Sequence, residues 1–159
     1  MAVPPQPDAW RHSNIGRALN NASKRFDSRV LEHMAENGHG GVKFSQVHLT
    51  RNLDVRGTRI TELARRAGMS KQAMSEIVAE CEQLGLVARH ADPTDARAKI
   101  VAFTADGLRW LGAFRDAVFQ TESEMRNELG YLRVDALASV LETYGSAFDP
   151  LAPVESDKD

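Results

Sequence analysis

The segment that most constrains the fold is residues 61–84, TELARRAGMSKQAMSEIVAECEQL, in which a glycine separates two helical apolar patterns. Thr61 is a candidate N-cap of the first helix, and Gly68 is a candidate stop. Ser70 is placed to cap a second helix that starts at the next residue and ends before Gly85. Two helices joined by so short a turn predict a helix-turn-helix. The residues expected to face inward are Leu63, Ala64, Ala67, Met74, Ile77, Val78, Cys81 and Leu84.

Two short runs of alternating apolar residues, LVARHA and KIVAFT, follow this segment and are joined by DPTDARAK (92–99). Alternation with a period of two predicts two strands of a hairpin. We expect Asp92 and Asp95 to accept backbone N–H groups that hold the turn, or to orient a neighbouring arginine. This arrangement carries Arg97 at the hairpin tip. The sequence therefore predicts a β-hairpin wing directly after the helix-turn-helix.

Longer helical patterns flank this centre. Residues 1–10 are proline-rich and expected to be extended, and a first helix is expected from Ser13 or Asn14 to the glycine-rich ENGHGG. A shorter helix is expected over about 43–53, a long one after the N-cap Thr104, and a last one from about Val134. The residues that recur at helical spacing are Ile15, Leu19, Ala22, Phe26, Val30 and Met34; Phe44, Val47, His48 and Arg51; Leu108, Leu111, Phe114, Val118, Met125 and Leu129; and Leu137, Leu141, Tyr144 and Phe148.

Together these elements predict a mainly α (α+β) fold, a winged helix-turn-helix domain with a helical dimerisation domain built from the N- and C-terminal helices. We expect N-terminal helices over 13–53, the winged domain over 54–104, C-terminal helices over 105–148, and flexible tails over 1–12 and 149–159. The long helix leaves apolar surface that the small centre cannot cover, which favours a homodimer. The alternative is a bundle of the outer helices within one chain.

Composition and charge narrow the possible functions. The 159 residues are 42% hydrophobic and 26% charged, with no run long enough to span a membrane and no signal peptide, so a cytoplasmic location is expected. The net charge is −2, but residues 101–159 carry five basic and eleven acidic residues. A locally basic surface can therefore exist elsewhere. The single cysteine, Cys81, excludes an intrachain disulfide and a multi-cysteine zinc site.

The polar face of the second helix carries side chains suited to reading DNA. Gln72 can pair with adenine in the major groove, Glu76 can accept from cytosine, and Ser75 can serve a base or a phosphate. An arginine on the wing can reach the minor groove, and basic residues beside it can meet phosphates. The alternative is an ordinary amphipathic helix and a charged turn without a partner. The predicted DNA-binding residues are Ser70, Lys71, Gln72, Ser75, Glu76, Arg89, Arg97 and Lys99.

Residues 59–107 resemble the winged-helix core of the multiple-antibiotic-resistance-regulator (MarR) family. The matching pieces are LARRAGMSKQAMS, LGLV, the D-x-x-D-x-R-x-K wing and TADG, and the flanking helices fit in order and length over about 13–148. The resemblance implies a homodimer, joined through its first and last helices, that binds pseudo-palindromic DNA and usually represses. It also implies that the helix over 71–84 enters the major groove and that Arg97 enters the minor groove. Where many members have a basic residue, this chain has Glu76.

The same resemblance implies release from DNA by a small aromatic or phenolic acid, or by an oxidant. An effector would lie where the first two helices and the long helix meet the winged domain. Aromatic rings there offer stacking, and an arginine or histidine can pair with a carboxylate. The alternative is that the aromatic residues are simply core. The candidates are Trp10, Arg17, Phe44, His48, Trp110 and Phe114.

Other chemistry has little support in the sequence. Cys81 falls on the inward face of its helix, where packing rather than redox sensing is expected. The five histidines show no i, i+4 ligand pair within one helix, and no nucleophile motif or phosphate loop is present, so neither a metal, a cofactor nor an enzyme is expected. The resulting hypothesis is a homodimeric, ligand-responsive transcriptional repressor. Its alternatives are a winged-helix protein-interaction module, a redox-responsive regulator acting through Cys81 and, last, a small cysteine/histidine enzyme.

Overall fold

The computed structural model of the chain describes residues 8–146, and the order of elements matches the sequence pattern closely. The predicted tails beyond these bounds and Phe148 lie outside the described residues. No helix within 8–146 is both long and apolar enough to cross a membrane. The elements are α1 (Ala9–His12), α2 (Ile15–Glu36), α3 (Phe44–Asn52), β1 (Thr58–Arg59), α4 (Ile60–Arg66), α5 (Lys71–Gln83), β2 (Val87–Asp92), β3 (Asp95–Phe103), α6 (Ala105–Leu129) and α7 (Tyr131–Gly145).

The three strands form one antiparallel sheet in the order β1-β3-β2, with helices α4 and α5 before the hairpin. This is a winged helix-turn-helix, and the predicted fold class is confirmed. The turn between α4 and α5 forms as the sequence indicates: Gly68 has a φ of 64°, and the hydroxyl of Ser70 accepts the N–H of Ala73 at 3.1 Å. Local sequence therefore determines the geometry of this turn.

The start of α4 differs from the prediction. The helix begins at Ile60, and its N-cap is Arg59, whose backbone is extended and which makes no side-chain cap. Thr61 is therefore inside the helix and does not cap it. The cause is the pairing of β1 with β3, in which Arg59 lies opposite Ile100, so the chain passes directly from strand to helix.

One core joins the outer helices to the winged region. Met74, Val78 and Cys81 of α5 are fully buried in it. A close approach connects the two parts: a Cβ built on Gly107, in the first turn of α6, would lie 1.8 Å from the carbonyl oxygen of Leu86. The N-cap Thr104 accepts the N–H of Gly107 at 2.9 Å and donates its own N–H to the Leu86 carbonyl at 3.1 Å. Helix α6 is thus attached directly to the segment that follows α5.

The apolar spacing of α3 and α6 does not by itself identify the faces that these helices bury. Phe44 and His48 are exposed on α3, and Leu108 and Leu129 are exposed on α6. The reason is that several elements compete for each helix, so its inward direction is set by tertiary packing and not by its own apolar spacing alone. The residues that α3 buries are Gln46, Val47, Leu49, Thr50 and Asn52, and those that α6 buries are Gly107, Trp110, Phe114, Ala117 and Thr121.

Two boundaries also differ. Residues Ala9–His12 form one helical turn where extended chain was expected, and α7 starts at Tyr131, three residues before Val134. Helix α7 is mostly exposed, and only Val134 on it is buried. A stripe along the helix, Leu132, Val140 and Tyr144, at spacings of eight and four residues, is 88%, 64% and 81% exposed. This stripe, which we call the α7 stripe, has no apolar cover from residues 8–146.

Candidate nucleic-acid interface

Helix α5 presents a polar face directly opposite its buried one. Lys71, Gln72 and Glu76 are exposed, and Ser75 is half-buried. The amide of Gln72 donates to Oε1 of Glu76 at 3.5 Å, across one turn of the helix. Ser70 is exposed as well, but its hydroxyl is engaged as the helix cap. The predicted residues of this helix are therefore brought together on one solvent-facing surface at its N-terminal half.

The hairpin is tighter than the sequence indicated. The strands pair up to Asp92 opposite Asp95, so the turn between them consists of Pro93 and Thr94 alone. The next pair is Ala91 opposite Lys99, which leaves residues 96–98 as a three-residue bulge on β3. Arg97 is the middle residue of this bulge and is exposed. The prediction of Arg97 at the tip is corrected: a bulge beside the turn, and not the turn itself, carries the arginine out of the regular ladder.

Asp92 ties the turn to strand β1. Its side chain is 4% exposed and accepts hydrogen bonds from the hydroxyl of Thr94 at 2.7 Å, the N–H of Thr94 at 2.8 Å and Nε of Arg59 at 2.6 Å. These contacts, led by the Thr94 hydroxyl, lower the pKa of Asp92 to about 2. Asp95 accepts the N–H of Arg97 at 3.0 Å. Both aspartates thus hold the turn, and Asp92 orients Arg59 rather than Arg97.

Arg59 is a residue that the sequence analysis did not include in the site. Besides Asp92, its guanidinium reaches the hydroxyl of Thr94 at 3.2 Å, so it crosses from β1 to the hairpin turn. No local motif identifies it, because the contact spans 33 residues of sequence. The only available indication was a basic residue in a short strand preceding a hairpin with an acidic turn.

Arg89 is positioned differently from the expected phosphate contact. Its Nη2 donates to the backbone carbonyl of Ser75 at 2.9 Å, and its own N–H donates to the carboxylate of Glu82 at 3.1 Å. The Arg89 guanidinium also forms an ion pair with Glu82 at 3.5 Å. These contacts join β2 to α5 and fix the wing relative to the polar face of the helix.

The basic residues of the winged region fall into two groups. Arg56, Lys71, Arg97 and Lys99 are exposed and form no ion pair with any residue in 8–146, so their charge is not neutralised within the described part of the chain. Unneutralised cations on one surface are what a polyanion such as DNA binds. The basic residues of the same region that are ion-paired are Arg59, Arg65, Arg66 and Arg89.

The six effector-pocket candidates do not gather in one cavity. Trp110 and Phe114 are core residues of α6 whose rings stack with centroids 5.2 Å apart. Trp10, Phe44 and His48 are exposed, and Arg17 lines a shallow hollow at the start of α2. The indole N–H of Trp110 is buried without a hydrogen-bond partner among the described residues. A cavity of about 390 Å³ lies elsewhere, between α2 and the C-terminal half of α6, and none of the six lines it.

Cys81 has the environment of a packing residue. It is fully buried, and burial raises the pKa of its thiol to about 12, which keeps it protonated and unreactive at neutral pH. Within residues 8–146, no three histidine, cysteine or acidic side chains come together as possible metal ligands.

The fold and this surface define a winged helix-turn-helix protein with long flanking helices. Residues 40–98 match the model of the MarR family. The resemblance to that family drawn from residues 59–107 is thereby confirmed across the helix-turn-helix and most of the wing. Among curated proteins, none matches this chain in sequence.

Solved structures of MarR-family regulators have the same fold over most of the chain. Apo MarR from E. coli is 19% identical, with a TM-score of 0.68, and the match covers 83% of this chain and 97% of that one. The transcriptional repressor CouR bound to a 23-mer DNA duplex is 23% identical, with a TM-score of 0.67 and coverage of 91% and 99%. CouR from Rhodococcus jostii RHA1 bound to p-coumaroyl-CoA is 18% identical, with a TM-score of 0.66 and coverage of 91% and 97%. At these identities, the likeness establishes the fold.

Proposed function

We propose that this chain is a sequence-specific DNA-binding transcriptional regulator that acts as a homodimer. The observation that carries the proposal is the set of unneutralised cations Lys71, Arg97 and Lys99, which lie on α5 and on the wing attached to it. Most other arginines of the region pair with carboxylates, whereas these three cations do not. A surface that only faces water gives no reason for this difference. The MarR-family match over residues 40–98 and the likeness to DNA-bound CouR support the same conclusion.

In the proposed complex, α5 enters the major groove, and Gln72, Ser75 and Glu76 face the base edges. The bulge inserts Arg97 into the adjacent minor groove, and Lys99 neutralises a phosphate. The first N–H groups of α5, at Ser70 and Lys71, are available to a further phosphate. Arg89 contributes by holding the wing against α5.

The proposed dimer places two such surfaces on one DNA duplex. The α7 stripe is exposed to a degree that is unusual for leucine, valine and tyrosine in one row, and a second copy of the chain would cover it. In this arrangement, residues 13–53 and 105–148 form the dimerisation region and residues 54–104 bind DNA. A two-fold dimer presents recognition helices about 34 Å apart, one turn of DNA, to a pseudo-palindromic operator.

Regulation by a small aromatic or phenolic ligand, with repression as the default state, completes the proposal. The attachment of α6 to Leu86 through Thr104 and Gly107 gives a rigid connection by which a shift of the outer helices moves α5. The likeness to CouR bound to p-coumaroyl-CoA supports an aromatic effector. The stacked Trp110 and Phe114, with the unpartnered indole N–H, are the candidates among the six that combine an aromatic surface with a free donor. Ligand binding would raise the melting temperature, and no shift across a panel of aromatic acids would contradict it.

The test of DNA binding is selection of bound sequences from random duplexes, followed by affinity measurements over a salt series. We expect a pseudo-palindromic site and a negative slope of log affinity against log salt. Arg97→Ala should weaken binding by roughly 1–3 kcal/mol and reduce the slope by about one, without loss of stability. Arg115→Ala, which removes an exposed arginine of α6 that pairs, among residues 8–146, only with Asp116, is the matched control and should change neither. A folded dimer that enriches no site would instead favour a winged-helix protein-interaction module.

A further inference from the structure

Glu76 is an unusual residue for the centre of a surface that meets a polyanion. It lies on the exposed side of α5, one turn after Gln72 and opposite the buried Met74 and Val78. Within residues 8–146, it forms no ion pair, and its one side-chain hydrogen bond is the 3.5 Å contact from the Gln72 amide. No cation within the described part of the chain pairs with this carboxylate, although Lys71 is exposed on the same helix and forms no ion pair there either.

A carboxylate without a partner opposes DNA binding in two ways. It is repelled by the phosphates, and it loses its water when the helix enters the groove, which costs free energy unless a donor replaces that water. In the major groove, guanine and thymine present only hydrogen-bond acceptors on their edges, and these repel a carboxylate. Adenine presents the N6 amino donor beside the N7 acceptor, whereas cytosine presents the N4 amino donor without a neighbouring ring acceptor. Of the four bases, cytosine therefore suits a carboxylate best, because its free N4–H donates to one oxygen and no acceptor on the same base repels the other.

We propose that Glu76 is a specificity-determining residue, which requires the amino group of a cytosine at one fixed position in each half-site. Glu76 is a single side chain on the exposed face of α5, one turn after Gln72, so the requirement falls on one base pair. The same charge weakens binding to DNA that lacks this cytosine. Glu76 thus acts by penalising wrong sequences as well as by binding the right one. The proposal rests on the DNA-binding function proposed above.

Parallel selections from random duplexes test it with the wild type, Glu76→Gln, Glu76→Ala and the control Glu142→Gln. Glu142 is exposed on α7, away from the α5 face, and its change removes the same charge. We expect cytosine at one position for the wild type and for Glu142→Gln. Glu76→Gln should prefer adenine at that position, because a glutamine side chain pairs with adenine, and Glu76→Ala should show no preference there. The rest of the site should be unchanged in all four proteins.

Affinity measurements on single duplexes make the same test quantitative. Replacing the selected cytosine with guanine should weaken wild-type binding on the order of 10-fold or more, and Glu76→Ala should bind both duplexes within about two-fold. Glu76→Gln should also bind random-sequence DNA more tightly than the wild type, whereas Glu142→Gln should not. Circular dichroism and sizing confirm that each variant is folded and has the wild-type oligomeric state.

The outcomes separate this proposal from the function on which it rests. If all four proteins select one site with identical base preferences, Glu76 faces solvent in the complex; the specificity proposal is then wrong, and DNA binding stands. If the wild type selects a site and Glu76→Ala loses the whole site while remaining folded, the residue maintains the surface and does not read one base. If no protein selects any site, DNA binding fails and the specificity proposal fails with it.

Discussion

The winged region and the outer helices differ in the groups that they leave exposed: cations in the first and apolar side chains in the second. In the winged region, Met74, Val78 and Cys81 of α5 are fully buried, while four exposed cations, Arg56, Lys71, Arg97 and Lys99, have no ion pair among the described residues. In the outer helices, the charges are paired across α2 and α6, Arg25 with Glu128 and Arg29 with Glu124, while the α7 stripe is exposed. The first region buries the apolar core residues of α5 and leaves cations exposed that can bind an anion. The second pairs charges between its own helices and is open to an apolar surface.

The strongest test of this comparison concerns a place where the backbones of both regions meet. Gly107→Ala puts a methyl group into the Leu86 carbonyl, a backbone atom that cannot rotate away. We expect a loss of unfolding free energy at the upper end of the roughly 1–3 kcal/mol that overpacking costs. Urea unfolding followed by circular dichroism measures it. Gly112→Ala is the matched control, because nothing lies within 4 Å of its added Cβ on the same helix.

The two glycines should therefore change stability in opposite directions. Alanine at Gly112 should stabilise by about 0.4–1 kcal/mol, since it lowers the entropy of the unfolded chain and favours helix. Equal effects at both positions would mean that α6 can move away from Leu86 at little cost. The winged region and the outer helices would then be only loosely connected, and the proposed coupling between ligand and DNA would lose its basis.

A second test addresses the apolar surface of the outer helices. Val140→Glu places a charge in the middle of the α7 stripe, where burial against a partner would otherwise contribute about 1.5 kcal/mol or more per chain. We expect the dissociation constant of the dimer to rise more than about tenfold, measured by sedimentation or light scattering over a dilution series. Ser139→Glu, on the same turn but outside the stripe, should have a much smaller effect. A dimer equally stable in both variants would place the interface elsewhere.

Features that have a local cause could be predicted from the sequence, and features that depend on residues in another element could not. The bounds of α5 follow from Ser70 and Gly85, and the start of α6 follows from Thr104, because a cap or a left-handed glycine acts within one turn. The elements and most of the α5 face could therefore be predicted, but Leu84, which was expected to face inward, is 44% exposed. The reason for a glycine at 107 could not, since the atom that excludes a side chain belongs to Leu86, in another element.

The wing shows the same limit at the site itself. Asp92 and Asp95 were expected to hold the turn, and their contacts are of that kind. The bulge that carries Arg97 and the role of Arg59 were not expected, because both depend on how three strands align. The buried faces of α3 and α6 could not be read from spacing for a related reason: each helix packs against several elements, and spacing alone does not choose among them.

A third test examines how strongly the contacts of Asp92 hold the hairpin turn to strand β1. The pKa of Asp92 is about 2, below the about 3.9 of an unfolded aspartate, so its ionised form stabilises the fold above about pH 4. This contribution should decrease as the pH falls from about 4 to 2. The difference in unfolding free energy between the wild type and Asp92→Asn should shrink over that interval, measured by urea unfolding at each pH.

Arg59→Ala tests whether the attachment of the hairpin turn to β1 affects DNA binding. It removes the link from β1 to the turn, so we expect weaker DNA binding than in the wild type through a loosened wing. Arg97→Ala, by contrast, should weaken binding with no change in the pH dependence of stability. If the difference in unfolding free energy between the wild type and Asp92→Asn stays constant between about pH 2 and 4, the Asp92 contacts do not persist in solution.

The smallest expected effect concerns the charges that the outer helices pair internally. The Arg25 and Glu128 side chains are 73% and 50% exposed, so water and salt screen their attraction. A double-mutant cycle with Arg25→Ala and Glu128→Gln should give a coupling below about 1 kcal/mol, decreasing as salt is raised. A larger coupling that persists in high salt would mean that a second chain excludes water from this pair. The dimer would then extend over the cavity between α2 and α6, and the outer helices would be open to a partner along that face as well as along the α7 stripe.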